Sequence, residues 1–147
     1  GNRVREFNLL AAQHARSVAP TGHYVVGSVG PTGEFIHPLG EISESEMMAS
    51  FVEQITALED GGADAVVIET ITSLEEANLA IKAAKEHTDL IVMATMTFDL
   101  GPRGFFTMMG VTPEEAAKEL PKAGADIVGS NCGNGIEAMI EVAKKMR

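Results

Sequence analysis

The sequence of 147 residues contains one cysteine, one tyrosine and no tryptophan. A single cysteine cannot form a disulfide within the chain, so the cysteine content does not indicate an oxidising compartment. No apolar run approaches the roughly 20 residues that a membrane-spanning helix needs. The first residues, GNRVREFNLL, also lack the apolar centre of a signal peptide. We therefore expect a cytoplasmic protein without a membrane partner.

Basic residues are few, since 11 Lys and Arg stand against 21 Asp and Glu for a formal net charge of −10. Such a surface repels nucleic-acid phosphates and anionic lipids, so we expect neither as a partner. Hydrophobic residues make up 45% of the chain, which is enough for a folded core. The length fits one domain, and we treat residues 1–147 as that domain.

Helical and strand patterns alternate along the chain. Apolar residues at helical spacing predict a helix over 3–18, and a β-branched run predicts a strand over 24–28. The Ser-x-x-Glu motif predicts helix starts at Ser43 and Ser73, and Thr112 before Pro113 predicts another. Further strands are predicted within 64–70, 90–98 and 126–131, and the helices within 44–58, 74–87, 112–124 and 136–146.

The predicted strands are continuously apolar, which is typical of a parallel sheet covered by helices. Segments 62–77 and 124–139 also align without a gap at an offset of 62, with Asp64 matching Asp126. Two βα units of about 31 residues give that offset, which is the period of a (β/α)8 barrel of about 250 residues. We predict an α/β fold of the TIM-barrel family, here a partial barrel of about four parallel βα units. A doubly wound open sheet is the alternative.

The carboxyl ends of parallel strands usually hold the functional residues of such folds. The repeat places Glu69 and Asn131 at equivalent strand ends, with Cys132 next and Thr97 at the end of another strand. Taken alone, Glu69 fits a solvated carboxylate at a strand end as well as it fits a ligand contact. Its position and its neighbours favour the ligand contact. The other strand-end residues are Ser28, Val29, Gly30, Thr70, Thr95 and Asp99.

Cys132 follows a strand in a Gly/Asn loop that opens a helix, where the helix N-terminus favours a thiolate. A lone cysteine is more often a small buried hydrophobic residue. As a nucleophile it needs a base, and His37 is the one histidine placed to reach it. As a metal ligand it needs partners, because a single ligand cannot hold zinc. The sequence leaves both roles open.

Two other site chemistries are alternatives to a nucleophilic or metal-binding cysteine. Schiff-base aldolases of this fold need a lysine within a strand, and every lysine here lies on a predicted helix or at its end, which excludes that class. The Gly-rich turn GSNCGNG fits an anion-binding or phosphate-binding α/β module, because backbone N–H groups at a helix N-terminus bind anions.

Four motifs, in this order along the chain, carry a family resemblance: GSVGPTG, DAVVIETITSLEEANLAIKAA, VMATMTFD and GADIVGSNCGNG. Together they resemble the homocysteine S-methyltransferase domain, the zinc barrel of cobalamin-dependent methionine synthase and betaine–homocysteine methyltransferase. The resemblance extends from Val25 to Ala143. GPTG and TMTFD are most similar to the methionine-synthase-like, corrinoid-linked members.

The resemblance implies that the chain takes part in zinc-dependent methyl transfer to the thiol of homocysteine, forming methionine. It implies that Cys132 is a zinc ligand and that Glu69 contacts the amino group of homocysteine, with Asn131 and Thr97 lining the same pocket. Zinc makes a bound thiol a thiolate without a general base. The implied methyl donor is methylcobalamin or methyltetrahydrofolate held by other domains, or an onium compound.

The chain also departs from the family pattern. The Cys-Cys pair that supplies the other zinc ligands and the Asp-Gly motif of the first strand are absent from the sequence. The match therefore corresponds to strands three to six of the full domain. We expect self-association or pairing with a complementary half-barrel, because a half-barrel leaves two strand edges open. A catalytically incomplete subunit that assembles with a corrinoid protein is the alternative.

Overall fold

A computed structural model of the chain describes residues 3–133 and 135–147. The predicted alternation of helices and strands is confirmed within these residues. The elements are α1 (Val4–Val18), β1 (Val26–Val29), α2 (Glu44–Asp60), β2 (Ala65–Ile71), α3 (Leu74–His87), β3 (Ile91–Met96), β4 (Asp99–Gly101), β5 (Gly104–Phe106), α4 (Pro113–Ala123), β6 (Ile127–Ser130) and α5 (Ile136–Met146).

One hairpin was not predicted. Strands β4 and β5 pair antiparallel as a separate two-stranded hairpin between β3 and α4. Each strand has three residues, which is too short for an alternating hydrophobic pattern to be recognised. The hairpin lies directly after β3 in the chain, at the end of the sheet where the candidate site residues are.

The main sheet has four strands in the order β1-β2-β3-β6, and every neighbouring pair is parallel. The order follows the chain without reversal, whereas a doubly wound sheet reverses at a switch point. The register aligns Ser28, Val67, Met93 and Ile127 in one row across the sheet. This arrangement confirms the predicted α/β fold and agrees with the middle of a (β/α)8 barrel.

The core lies between one face of the sheet and the helices. Val66, Ile68 and Val92 on that face are fully buried, as are Ile55 of α2 and Ile81 of α3. Burying such side chains contributes about 1.5–3 kcal/mol each relative to leaving them in water. This packing fixes the strands from one side only.

The opposite face of the sheet is open. Val26, Ile91 and Ile127 lie on it, with exposed fractions of 43%, 50% and 53%. In the described part of the chain, β1 and β6 each have a strand on one side alone. An apolar face of this kind and free strand edges are surfaces that other chains or segments can cover. None of the described helices is long and apolar enough to cross a membrane.

Hydroxyl side chains begin three of the helices, as predicted. Ser43 and Glu46 form a capping box at α2, in which each side chain bonds the other's backbone N–H. Thr112 accepts a hydrogen bond from the backbone N of Glu115 at 3.1 Å, with Pro113 in the first turn of α4. Ser73 caps α3 by accepting from the backbone N of Glu76 at 3.4 Å.

The internal repeat has a structural counterpart at the amino ends of two strands. The side chain of Asp64 accepts from the backbone N of Val25 at 2.6 Å, and Asp126 accepts from that of Val92 at 2.8 Å. These hydrogen bonds lower the pKa of both carboxyl groups, with Arg16 beside Asp64 and Lys85 beside Asp126 lowering it further. The repeat therefore fixes β1 and β3 in the same way.

Candidate functional site

Polar side chains from all four strands of the main sheet meet at its carboxyl edge. We call them the strand-end cluster, and they are Ser28, Glu69, Thr70, Thr95, Thr97, Asn131 and Cys132. The cluster joins the four residues to which the family resemblance gave a role, Glu69, Thr97, Asn131 and Cys132. The sheet register aligns the strand ends and so brings these side chains together.

The amide of Asn131 is the centre of the strand-end cluster. Its Oδ1 accepts from Thr70 N and from Thr95 Oγ1, both at 2.9 Å. Its Nδ2 donates to Thr70 Oγ1 at 2.7 Å, with Glu69 Oε2 at 3.3 Å and Cys132 Sγ at 3.5 Å as further acceptors. An amide has two donor hydrogens and two acceptor lone pairs, so this one is fully engaged. Asn131 therefore fixes its neighbours in place.

Glu69 is a half-buried carboxylate held from two sides. Ser28 Oγ donates to its Oε1 at 2.5 Å, and Asn131 Nδ2 donates to its Oε2 at 3.3 Å. A carboxylate accepts about four hydrogen bonds, so roughly two positions remain for a cationic donor. This arrangement suits the binding of an ammonium group.

Thr70 and Cys132 share an uncommon backbone conformation. Their φ angles are 65° and 57°, in the left-handed region that side chains other than glycine rarely adopt. The two residues are equivalent positions of the sequence repeat, and Thr70 Oγ1 lies 3.7 Å from Cys132 Sγ. Each such residue costs on the order of 1 kcal/mol, and such strain concentrates at functional sites. The repeat therefore places a left-handed residue at two positions whose side chains both contact the amide nitrogen of Asn131.

Thr97 supports the backbone of the cluster. Its Oγ1 donates to the carbonyl oxygen of Asn131 at 3.2 Å, and its backbone N donates to that of Ile71 at 3.1 Å. The register between β2 and β3 shifts between Ile68 and Ile71, which is where Glu69 and Thr70 lie. The strand is therefore irregular where Glu69 and Thr70 enter the cluster, and such irregularities are common beside functional sites.

Cys132 is exposed. Among residues 3–133 and 135–147, its hydrogen-bonding contacts are with Thr70 and Asn131, and His37 makes none with it. In the same residues, no group of three His, Cys, Asp or Glu side chains could hold a metal ion. Zinc needs about four ligands, so the described residues do not fit a complete zinc site.

The sequence placed Ser28, Thr70 and Thr95 at strand ends without assigning them roles. Ser28 binds Glu69, while Thr70 and Thr95 bind Asn131. For Thr70 a signal was available, because the repeat aligns it with Cys132. For Ser28 and Thr95 the contacts depend on the register of the sheet.

The family model described as homocysteine S-methyltransferase matches residues 1–147. Betaine–homocysteine S-methyltransferase 1 of Danio rerio is 37% identical over 137 residues, covering 90% of this chain and 32% of that protein. The pig protein of the same name, from Sus scrofa, is 34% identical over 148 residues, covering 100% of this chain and 49% of its own length.

S-methylmethionine–homocysteine S-methyltransferase of Pongo abelii is 32% identical over 147 residues, covering 99% of this chain and 38% of that protein. A solved structure, the apo form of homocysteine methyltransferase MmuM from Escherichia coli, matches with a TM-score of 0.48 and 15% identity. That match covers 97% of this chain and 74% of the other.

The chain thus spans about a third to a half of the length of the curated relatives described above. The family match extends over all 147 residues, and the curated relatives are methyltransferases by name. The resemblance of the four sequence motifs is confirmed. The chain belongs to the homocysteine S-methyltransferase family.

Proposed function

We propose that this chain carries the amino-acid-binding part of an enzyme that transfers a methyl group to the thiol of homocysteine, forming methionine. Residues 1–147 are one partial domain in this proposal. The observation that carries it is the carboxylate of Glu69, held by Ser28 and Asn131 beside the exposed thiol of Cys132. The family match supports methyl transfer to homocysteine as the reaction.

Glu69 binds the amino group of homocysteine in this proposal. Its remaining acceptor positions lie at the carboxyl edge of the sheet, where an ammonium group forms a charge-assisted hydrogen bond. Ser28 and Asn131 keep the carboxylate from rotating, and Thr97 holds the backbone of Asn131. Asn131 and Thr97 line the pocket and position Glu69, because their own polar groups are engaged within the chain.

Cys132 is the one thiol that this sequence offers to a metal. Because the described residues do not complete a zinc site, zinc dependence belongs to an assembly in which other residues supply the remaining ligands. Cys132 lies two hydrogen-bonding steps from Glu69 through Asn131. When the amino group of homocysteine is bound at Glu69, the thiol end of homocysteine therefore lies near Cys132.

A complementary half-barrel is the partner that the open sheet fits best. The described part of the chain has five helices, so two copies would bring ten to an eight-stranded barrel, with α5 of one copy and α1 of the other covering the same seam. A partner with four strands and three helices avoids that conflict, whether it lies on the same polypeptide or on another. Without it, we expect the open apolar face to drive self-association.

The methyl donor is a separate part of the proposal. Methylcobalamin or methyltetrahydrofolate, presented by other domains or by a corrinoid protein, stays a prediction. The relatives are named for betaine and S-methylmethionine, which supports an onium donor. Supplying each of the four donors to the assembled enzyme with homocysteine, and measuring methionine, distinguishes them. A cytoplasmic location also stays a prediction.

The test combines zinc analysis with homocysteine binding for the chain alone and with a complementary half from a relative. We compare the unaltered sequence with Cys132→Ser, Glu69→Gln and the exposed control Glu75→Gln. Zinc lost in Cys132→Ser, and homocysteine affinity lost in Glu69→Gln but kept in Glu75→Gln, support the proposal. If the chain instead binds phosphate esters, keeps this binding in Cys132→Ser and does not bind homocysteine, the proposal is wrong and the chain is an anion-binding module.

A further inference from the structure

A buried carboxylate lies outside the strand-end cluster. Glu76, in the first turn of α3, is 7% exposed, and among the described residues no other acidic side chain is buried. Its Oε1 accepts from both the backbone N and the Oγ1 of Thr32, each at 2.7 Å. Thr32 Oγ1 also accepts from the backbone N of Glu34 at 3.2 Å. One oxygen of Glu76 thus organises the loop 30–34.

The Ser-x-x-Glu motif at Ser43 shows that the contact between Glu76 and Thr32 is not needed to cap a helix. In α2 the carboxylate of Glu46 is exposed and accepts from the backbone N of Ser43 at 3.0 Å. In α3 the hydroxyl of Ser73 accepts from Glu76 N, while the carboxylate of Glu76 bonds Thr32. The carboxylates of the two Ser-x-x-Glu motifs therefore have different partners, and among the described residues only that of Glu76 bonds another loop.

Among the described residues, the contact between Glu76 and Thr32 is the second of two side-chain links between the same pair of βα units, which the backbone pairing of β1 and β2 also joins. The first is the hydrogen bond from Ser28 on β1 to Glu69 on β2. Loop 30–34 directly follows β1, and α3 follows β2 after two residues. The backbone pairing of β1 and β2 ends at Val29 and Ile68, before loop 30–34 begins. The contact with Glu76 therefore joins the two units beyond the paired part of the strands.

We propose that Glu76 is a positioning residue of the site. It holds loop 30–34 against the start of α3 and so keeps Ser28 directed at Glu69. The consequence for binding the amino group of homocysteine rests on the proposed function, whereas the ordering of the loop does not.

The side-chain chemistry at position 76 sets the choice of variants. Alanine leaves the N–H and the hydroxyl of Thr32 without their acceptor, whereas glutamine keeps an oxygen that can accept both. Thr32→Val removes the hydroxyl and keeps the side-chain shape and the backbone N–H. Glu46→Ala is the matched control, because among the described residues the carboxylate of Glu46 bonds only Ser43 of its own motif.

Three readouts test the proposal on the full chain. Amide hydrogen exchange over 28–34 should be about tenfold faster in Glu76→Ala, because a lost acceptor for a buried donor costs enough for that factor. The carboxyl ¹³C resonance of Glu69, assigned with Glu69→Gln, should shift in the same variant. The homocysteine Kd should rise about tenfold. Glu76→Gln should restore all three, Thr32→Val should be intermediate, and Glu46→Ala should leave them unchanged.

A Glu76→Ala chain that loses stability but keeps loop exchange, the Glu69 resonance and homocysteine affinity overturns the proposal, because Glu76 is then only structural. Equal effects of Glu46→Ala and Glu76→Ala overturn it as well. If the unaltered chain binds no homocysteine even with zinc and a complementary half, the proposed function has failed. The exchange and resonance measurements need no ligand, so they still decide the role of Glu76.

Discussion

Replacing Asn131 by aspartate tests the centre of the strand-end cluster with almost no change of shape. The amide nitrogen of Asn131 lies 3.3 Å from Glu69 Oε2 and donates to Thr70 Oγ1. In Asn131→Asp an anionic oxygen takes the place of this nitrogen and faces the carboxylate of Glu69. The substitution therefore turns an attractive contact into repulsion between two negative charges.

The structure sets the size of the effect. Two unit charges 3.3 Å apart repel by about 5 kcal/mol at an effective dielectric constant of 20 and by about 1.3 kcal/mol in bulk water. Both side chains are half-buried, so we expect the free energy of unfolding to fall by about 2 kcal/mol at pH 7, between these limits.

Urea unfolding of Asn131→Asp and of the unaltered chain at pH 7 measures this difference. Asn78→Asp is the control, since Asn78 is exposed on α3 and a surface change of this kind stays within about 0.5 kcal/mol. Equal stability of Asn131→Asp and Asn78→Asp would refute the placement of the Asn131 amide against Glu69.

Two further predictions concern the scaffold. A Cβ on Gly61 would lie 2.5 Å from the carbonyl oxygen of Leu9 and 2.6 Å from Ala12 Cβ, so Gly61→Ala should lower the free energy of unfolding by about 1–3 kcal/mol. Gly30→Ala meets nothing within 4 Å and should be neutral, and urea unfolding compares the two. The hydrogen bonds from Val25 N and Val92 N lower the pKa of Asp64 and Asp126 in the folded chain. The two charged carboxylates therefore stabilise the fold above their ordinary pKa of about 3.9, and this stabilisation is lost as the pH falls below that value. Thermal unfolding between about pH 5 and pH 3 should therefore decline less steeply in a chain with both aspartates changed to asparagine, and an unchanged slope would contradict this assignment.

Much of the fold was predictable because single residues have one dominant local role. Ser43 and Thr112 begin helices since their hydroxyl groups accept from free N–H groups of the first turn. The strand-end rule then placed Glu69, Asn131 and Cys132 at one edge. These inferences need only local pattern and the parallel arrangement of the strands.

The parts that were missed depend on contacts between distant segments. The Ser-x-x-Glu motif at Ser73 predicts a cap equally well whether the carboxylate returns to its own helix or reaches Thr32. The hydrogen bond between Ser28 and Glu69 depends on the register of β1 and β2. The left-handed backbone of Thr70 is rare for a β-branched residue, so no local propensity indicates it.

The matching left-handed turns at Thr70 and Cys132 have a consequence for altering the site. Both positions have nearly the same φ angle, and their side chains lie 3.7 Å apart, each in contact with the amide nitrogen of Asn131. The backbone therefore fixes where a side chain points, and the residue type decides which chemical group is presented there. Exchanging the pair, as Thr70→Cys with Cys132→Thr, would move the sulfur from the end of β6 to the end of β2 while both turns keep their shape.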